Sequence, residues 1–223
     1  MAAMIARFGM RDRNGGKLRT MGLRGIRDEF VSKAAAYRVG AVIALALLWC
    51  GSALAAEPRV LLLRGWFGVF STGLDGLADE LKKKGINAEV EGHLYWSTAV
   101  SAILRERASG TIRPLVLVGH SQGANNVIDM ARSLDEHKVP VDLLVTLAPF
   151  LQYPVPANVL RAVNFYQSGG WGAPLSGDSG FHGKILNVDM ADDPTILHIS
   201  IDKSERVQAQ ILREIAGLPQ PKQ

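Results

Sequence analysis

The chain has a single cysteine in 223 residues, Cys50, and none from residue 57 onward. No disulfide framework, cysteine zinc site or thiol nucleophile can therefore be built in the body, which could live in an oxidising compartment without needing bridges. Histidine is scarce as well. The five histidines include no two at metal-ligand spacing and no His-Glu-x-x-His, so nothing calls for a metal or another cofactor. Internal repeats, low-complexity tracts and any insertion long enough for a lid domain are also missing. The basic balance of +4 is confined to one end: residues 1–56 hold nine Lys/Arg against three Asp/Glu, whereas residues 57–223 hold sixteen against eighteen. The pI of about 9.3 is thus no argument for nucleic-acid binding by the folded part. With 48% hydrophobic residues, the length suits one sizeable core.

The first 56 residues read as a basic leader and signal peptide. Residues 39–56 carry no charge, Ala41 to Trp49 is continuously apolar, and Ala53-Leu54-Ala55 matches the small-x-small cleavage pattern before Glu57-Pro58. A start near Val31 would give ordinary signal-peptide proportions. The expectation is a body from 57 to 223, periplasmic or secreted. The alternative is an uncleaved anchor over residues 39–56, the only membrane contact expected. No Arg-Arg pair for twin-arginine export is present, and Trp49 before Cys50 departs from a lipoprotein site.

The body is organised around Pro114-Leu-Val-Leu-Val118 and the residues that follow, Gly119-His120-Ser121-Gln122-Gly123-Ala124. The aliphatic run reads as a buried strand, and Ala124, Val127, Ile128, Ala131 and Leu134 then fall on one helical face. Ser121 therefore stands on a sharp strand-to-helix turn, with a glycine two residues to either side where the backbone must pass close to itself. Strands and helices alternate on both sides. Arg59 to Leu63 reads as a strand; Thr72 and Asp75 start a helix with Leu74, Leu77 and Leu81 inward; Ile86 to Glu91 reads as a strand. Ser97 caps a helix that runs to Gly110. After the central helix come strands at Val141–Leu147, Ala162–Gln167 and Ile185–Val188, and a last helix capped by Ser204. Ala148 to Pro156 has too many prolines for either element and reads as a loop over the sheet edge. The fold class expected is α/β, a doubly wound, mostly parallel sheet of about six strands.

Gly119 to Gly123 resembles the nucleophile elbow of the α/β-hydrolases, and residues 59–218 resemble a minimal core of that superfamily, the lipase, esterase and thioesterase-like serine hydrolases. The resemblance implies a catalytic triad with Ser121 as nucleophile and His198, between the last strand and last helix, as base. The run Thr195 to Ile201 also alternates like a strand, on which a histidine would simply pack. The resemblance further implies an oxyanion hole from the Gln122 N–H and the loop Arg64-Gly65-Trp66-Phe67-Gly68, with Trp66 or Phe67 as second donor and Arg64 where histidine is commoner. The triad acid belongs between Ser121 and His198, usually in the loop after the strand ending near Gln167. Asp178 is the first carboxylate there, with Asp189, Asp192 and Asp193 as competitors.

Other motifs fall away. Gly177-Asp178-Ser179-Gly180 looks like the serine motif of trypsin-like proteases, but those are all-β and this chain alternates. His93 precedes the nucleophile and reads as a rim residue; His120 reads as packing. Trp66, Phe67, Trp96, Tyr153 and Trp171 lie in segments that could edge a site. The activity implied is a serine hydrolase acting on a small-molecule ester or thioester of short or medium acyl length, through an acyl-enzyme. The alternative is a hydrolase fold without catalysis, kept as a binding or envelope-interaction module.

Overall fold

The computed structural model describes residues 57–111 and 113–218. The signal peptide or anchor expected over residues 1–56 lies outside them. One sheet of six parallel strands is formed by β1 (Arg59–Arg64), β2 (Asn87–Gly92), β3 (Leu115–His120), β4 (Leu143–Leu147), β5 (Arg161–Tyr166) and β6 (Lys184–Asp189), in the order β2-β1-β3-β4-β5-β6. Among the described residues are four helices, α1 (Gly73–Lys83), α2 (Trp96–Ala108) and α3 (Gln122–Glu136) between strands and α4 (Glu205–Ala216) after β6.

The central strands β1, β3 and β4 read as largely apolar runs because both faces of the sheet are covered there, whereas the edge strands β2 and β6 are partly exposed. Val60 and Leu62 of β1 point into one core with Leu74, Leu77 and Leu81 of α1 and Val207, Ile211 and Ile215 of α4. Leu61 and Leu63 point the other way, against Ala99 and Ile103 of α2 and Val127, Ile128 and Leu134 of α3. Each leucine so buried contributes roughly 1.5–3 kcal/mol of transfer free energy. The doubly wound α/β sheet expected from the alternation is the one observed, and it is the architecture of a minimal α/β-hydrolase core. β3 is flanked by β1 and β4, so the turn after β3 emerges at the middle of the C-terminal edge, between the loops that follow its two neighbours.

Three local readings differ. Ser97 is the second residue of α2, not its cap, because the 3-10 turn His93–Tyr95 runs straight into the helix with Tyr95 already helical. Val141 lies before β4 and makes an isolated bridge to Val159. Thr195 to Ile201 is turn and 3-10 backbone instead of strand. Asp193 Oδ1 accepts from the Thr195 N–H and Ser200 Oγ from the Leu197 N–H, so side chains satisfy the donors a ladder would have used. Among the described residues, no helix is long and apolar enough to cross a membrane.

Candidate active site

The elbow follows from local crowding. A Cβ on Gly119 would lie 2.3 Å from the Gly123 carbonyl oxygen, and one on Gly123 would lie 2.2 Å from the Leu63 carbonyl oxygen. Only glycine lets α3 start so close to β1 and β3. Ser121 between them has φ 57° and ψ −121°, a region that costs a non-glycine residue about 1–3 kcal/mol. The N–H of Ser121 donates to the Leu147 carbonyl at 2.9 Å, which ties the turn to the end of β4.

The structure brings Ser121 and His198 together: His198 Nε2 is 3.0 Å from Ser121 Oγ. A relay of hydrogen bonds behind them fixes the histidine backbone. The Gly65 N–H donates to Ser71 Oγ at 2.9 Å, Ser71 Oγ pairs with His120 Nδ1 at 2.8 Å, and His120 Nε2 donates to the His198 carbonyl at 2.8 Å. A carbonyl can only accept, so Nε2 of His120 carries the proton and the Ser71 hydroxyl donates to Nδ1. His120 is buried as expected, yet it is also the link between the β1 loop and the histidine loop. Burial holds its pKa below the usual histidine value.

The His198 ring has two ring neighbours, Trp171 at 4.5 Å between centroids and His120 at 5.2 Å. Burial, followed by the neighbouring His120, lowers the His198 pKa to about 4, and the carboxylate of Asp202 opposes them. His198 is therefore neutral at pH 7, the state in which Nε2 can accept a proton.

The β1 loop lies over the serine, since a Cβ on Gly65 would sit 2.9 Å from Ser121 Cβ. Trp66 and Phe67 line the same cavity as Ser121 and His198, about 200 Å³ in volume. Phe67 has φ 62°, and neither its N–H nor that of Trp66 is taken by a hydrogen bond among the described residues. Gln122 is the first residue of α3, where the N–H groups have no acceptor within the helix. All three expected donors thus lie around Ser121. Arg64 is held in an ion pair by Asp75 of α1.

None of the four expected aspartates is joined to the histidine. Asp178 is exposed and closes its own turn, its Oδ1 accepting from the Gly180 N–H while its N–H pairs with Val155; the glycine-rich segment leads it to the Val155 loop, away from the imidazole. Asp189 accepts from the Ser168 and Ala191 N–H groups, Asp192 pairs with Arg206, and Asp193 holds Thr195. Of the aromatic residues expected at the edge, Trp66, Phe67 and Trp171 are there. Trp96 and Tyr153 pack instead against the core under α2 and α3. His93 sits in the 3-10 turn after β2.

Four residues around the site are not among those the sequence singles out. Ser71 gives no sequence signal. Asn125, fully buried on α3, receives the Phe150 and Leu151 N–H groups at 3.0 and 3.1 Å and donates to the Leu151 carbonyl at 2.6 Å, clamping the proline-rich loop. Phe150 thereby completes an aromatic row from Trp66 to Trp171. Asp202, 1% exposed, follows His198 by four residues, outside the interval in which the resemblance places an acid.

No family model matches the chain, and no curated protein matches it. Solved structures similar to it include a protein from Xanthomonas campestris pv. campestris provisionally described as an α/β-superfamily hydrolase, at 20% identity over 70% of this chain and 98% of the other, with a TM-score of 0.37. The NocB thioesterase domain of the nocardicin cluster is 14% identical over 73% and 96%, with a TM-score of 0.48. A cutinase-like protein from Cryptococcus sp. is 13% identical over 75% and 99%, with a TM-score of 0.44. Likenesses this distant carry no weight for the chemistry, which is read from this chain's own residues.

Proposed function

We propose that the protein is a serine hydrolase that cleaves a carboxylic ester or thioester through an acyl-enzyme. The observation that carries this reading is the 3.0 Å approach of His198 Nε2 to Ser121 Oγ, on a strained strand-to-helix turn at the centre of the sheet edge. In this reading Ser121 Oγ attacks the substrate carbonyl carbon and its proton passes to Nε2. The carbonyl oxygen becomes an oxyanion facing the Gln122 N–H and the N–H of Trp66 or Phe67. Nε2 returns the proton to the leaving alcohol or thiol, and a water activated by the same nitrogen releases the acid and restores the serine.

The cavity of about 200 Å³ and its open aromatic rim suit a short or medium acyl group. Trp66 and Phe67 are 51% and 85% exposed, so a long chain would lie in water over most of its length. A panel of nitrophenyl esters from acetate to palmitate tests both points. Turnover is expected to peak at short or medium chains and to fall by several powers of ten in His198→Ala. Activity that rises steadily to palmitate would refute the acyl preference. Wild-type protein inert towards the whole panel and towards acyl thioesters, yet binding a ligand, would favour a binding module.

A further inference from the structure

We infer that Asp202 is the positioning residue of His198: its spare carboxylate oxygen, not bonded to the ring in this structure, takes the imidazole Nδ1–H when Nε2 receives the serine proton. The inference rests on the hydrolase reading of the site.

For Nε2 to accept from Ser121, the single proton of neutral His198 must sit on Nδ1. That atom is buried and has no hydrogen-bond partner among the described residues. Asp202 Oδ1 is likewise buried and without a partner. One is a donor and the other an acceptor, and both belong to the turn from His198 to Asp202. The rest of the carboxylate is tied down: Oδ2 receives the Gly73 N–H at 2.7 Å, and the Asp202 carbonyl receives Gln208 Nε2 at 2.8 Å. Gly73 is crowded against it, since a Cβ there would lie 2.7 Å from Oδ2. One oxygen is therefore held at the first turn of α1 and the other is spare.

The charges agree with this pairing. Those acting on His198 are His120, which disfavours the imidazolium, and Asp202, which favours it. Lys203 is the other charged group bearing on Asp202. In the loop after β5, where the resembled superfamily carries its acid, this chain has Gln167 and Ser168. Gln167 Nε2 donates to the Ile196 carbonyl at 2.9 Å, supporting the histidine loop from its backbone. With Asp202 in this role the acid lies on the far side of the histidine, giving the order Ser, His, Asp. No proton reaches Asp202 in the cycle: the serine proton goes to Nε2, Nδ1 keeps its own, and the carboxylate offsets the positive charge that forms.

The test compares wild type with Asp202→Asn, which keeps an oxygen for the Gly73 N–H but loses the charge. Expected are a fall in kcat of about 10³- to 10⁴-fold with KM changed far less, and an acid limb of the kcat/KM profile displaced to lower pH because the group favouring the imidazolium is gone. A merely structural role would leave the position of that limb unchanged. Independently of the variant's folding, wild type phosphonylated on Ser121 is expected to show a strongly deshielded, slowly exchanging His198 Nδ1 proton by NMR. Folded Asp202→Asn that turns over within threefold of wild type, or a wild-type adduct lacking that resonance, would overturn the role of Asp202. Wild type that neither forms the adduct nor turns over any ester would instead remove the hydrolase reading, and the inference with it.

Discussion

At the scale of single residues, the properties of His198 come from what surrounds it. Burial and the His120 ring lower its pKa to about 4, so the neutral base persists well into acid. Activity that requires neutral His198 is therefore expected to be flat above the limb and to fall about tenfold per pH unit below pH 4, as a kcat/KM profile on a neutral ester would record. The same shift has a sign for stability. The unfolded chain protonates this histidine near its ordinary value of about 6.5, whereas the folded chain resists until about 4, so stability from this group is complete above 6.5 and is lost as pH falls through that interval. Ser71 is the other informative side chain. Ser71→Ala strands the buried Gly65 N–H and His120 Nδ1, with an expected loss of about 1–3 kcal/mol in urea unfolding. Because the relay ends on the His198 carbonyl, kcat should fall as well, which loss of packing alone would not require.

Among the elements, the turn from β3 into α3 was legible because everything that makes it is local: an aliphatic run, two glycines, a serine and a helical stripe within twenty residues. What joins that turn to its surroundings was not legible. Ser71 meets His120 across 49 residues, and Asp202 meets Gly73 across 129. No spacing rule reaches so far. Family order places the acid upstream of His198, but Asp178 and Asp193 cap their own turns, Asp189 receives the Ser168 N–H and Asp192 pairs with Arg206. Alternation in Thr195 to Ile201 misled for a related reason: Pro194 and the side-chain bonds of Asp193 and Ser200 divert the backbone before it can pair. The crowding at the elbow gives its own expectation. Gly123→Ala drives a methyl to 2.2 Å from the Leu63 carbonyl, so α3 must shift. The cost should be about 3 kcal/mol or more, seen as a lower melting temperature together with lost turnover. Gly76→Ala, with nothing within 4 Å of the added carbon, is the matched control and should be neutral or slightly stabilising.

For the whole molecule, the six parallel strands place Ser121, His198 and the loop after β1 at one edge, each from a different connection. The central strands could be read from sequence because two-sided burial writes itself as apolar runs, and the edge strand β2 because its one-sided burial leaves an alternating pattern. For the basic leader we propose cleavage after the small-x-small pattern, which would release a body that carries the complete site. N-terminal sequencing of the exported form should then begin at Ala56 or Glu57; a full-length species kept in membranes after a carbonate wash would instead establish an anchor. The central claim concerns Ser121 as nucleophile, and intact-mass analysis after treatment with a fluorophosphonate tests it most directly. Wild type should gain the mass of one adduct, located on the peptide containing Ser121, and Ser121→Ala should gain none; an unmodified wild type, or an adduct that persists in Ser121→Ala, would contradict the account.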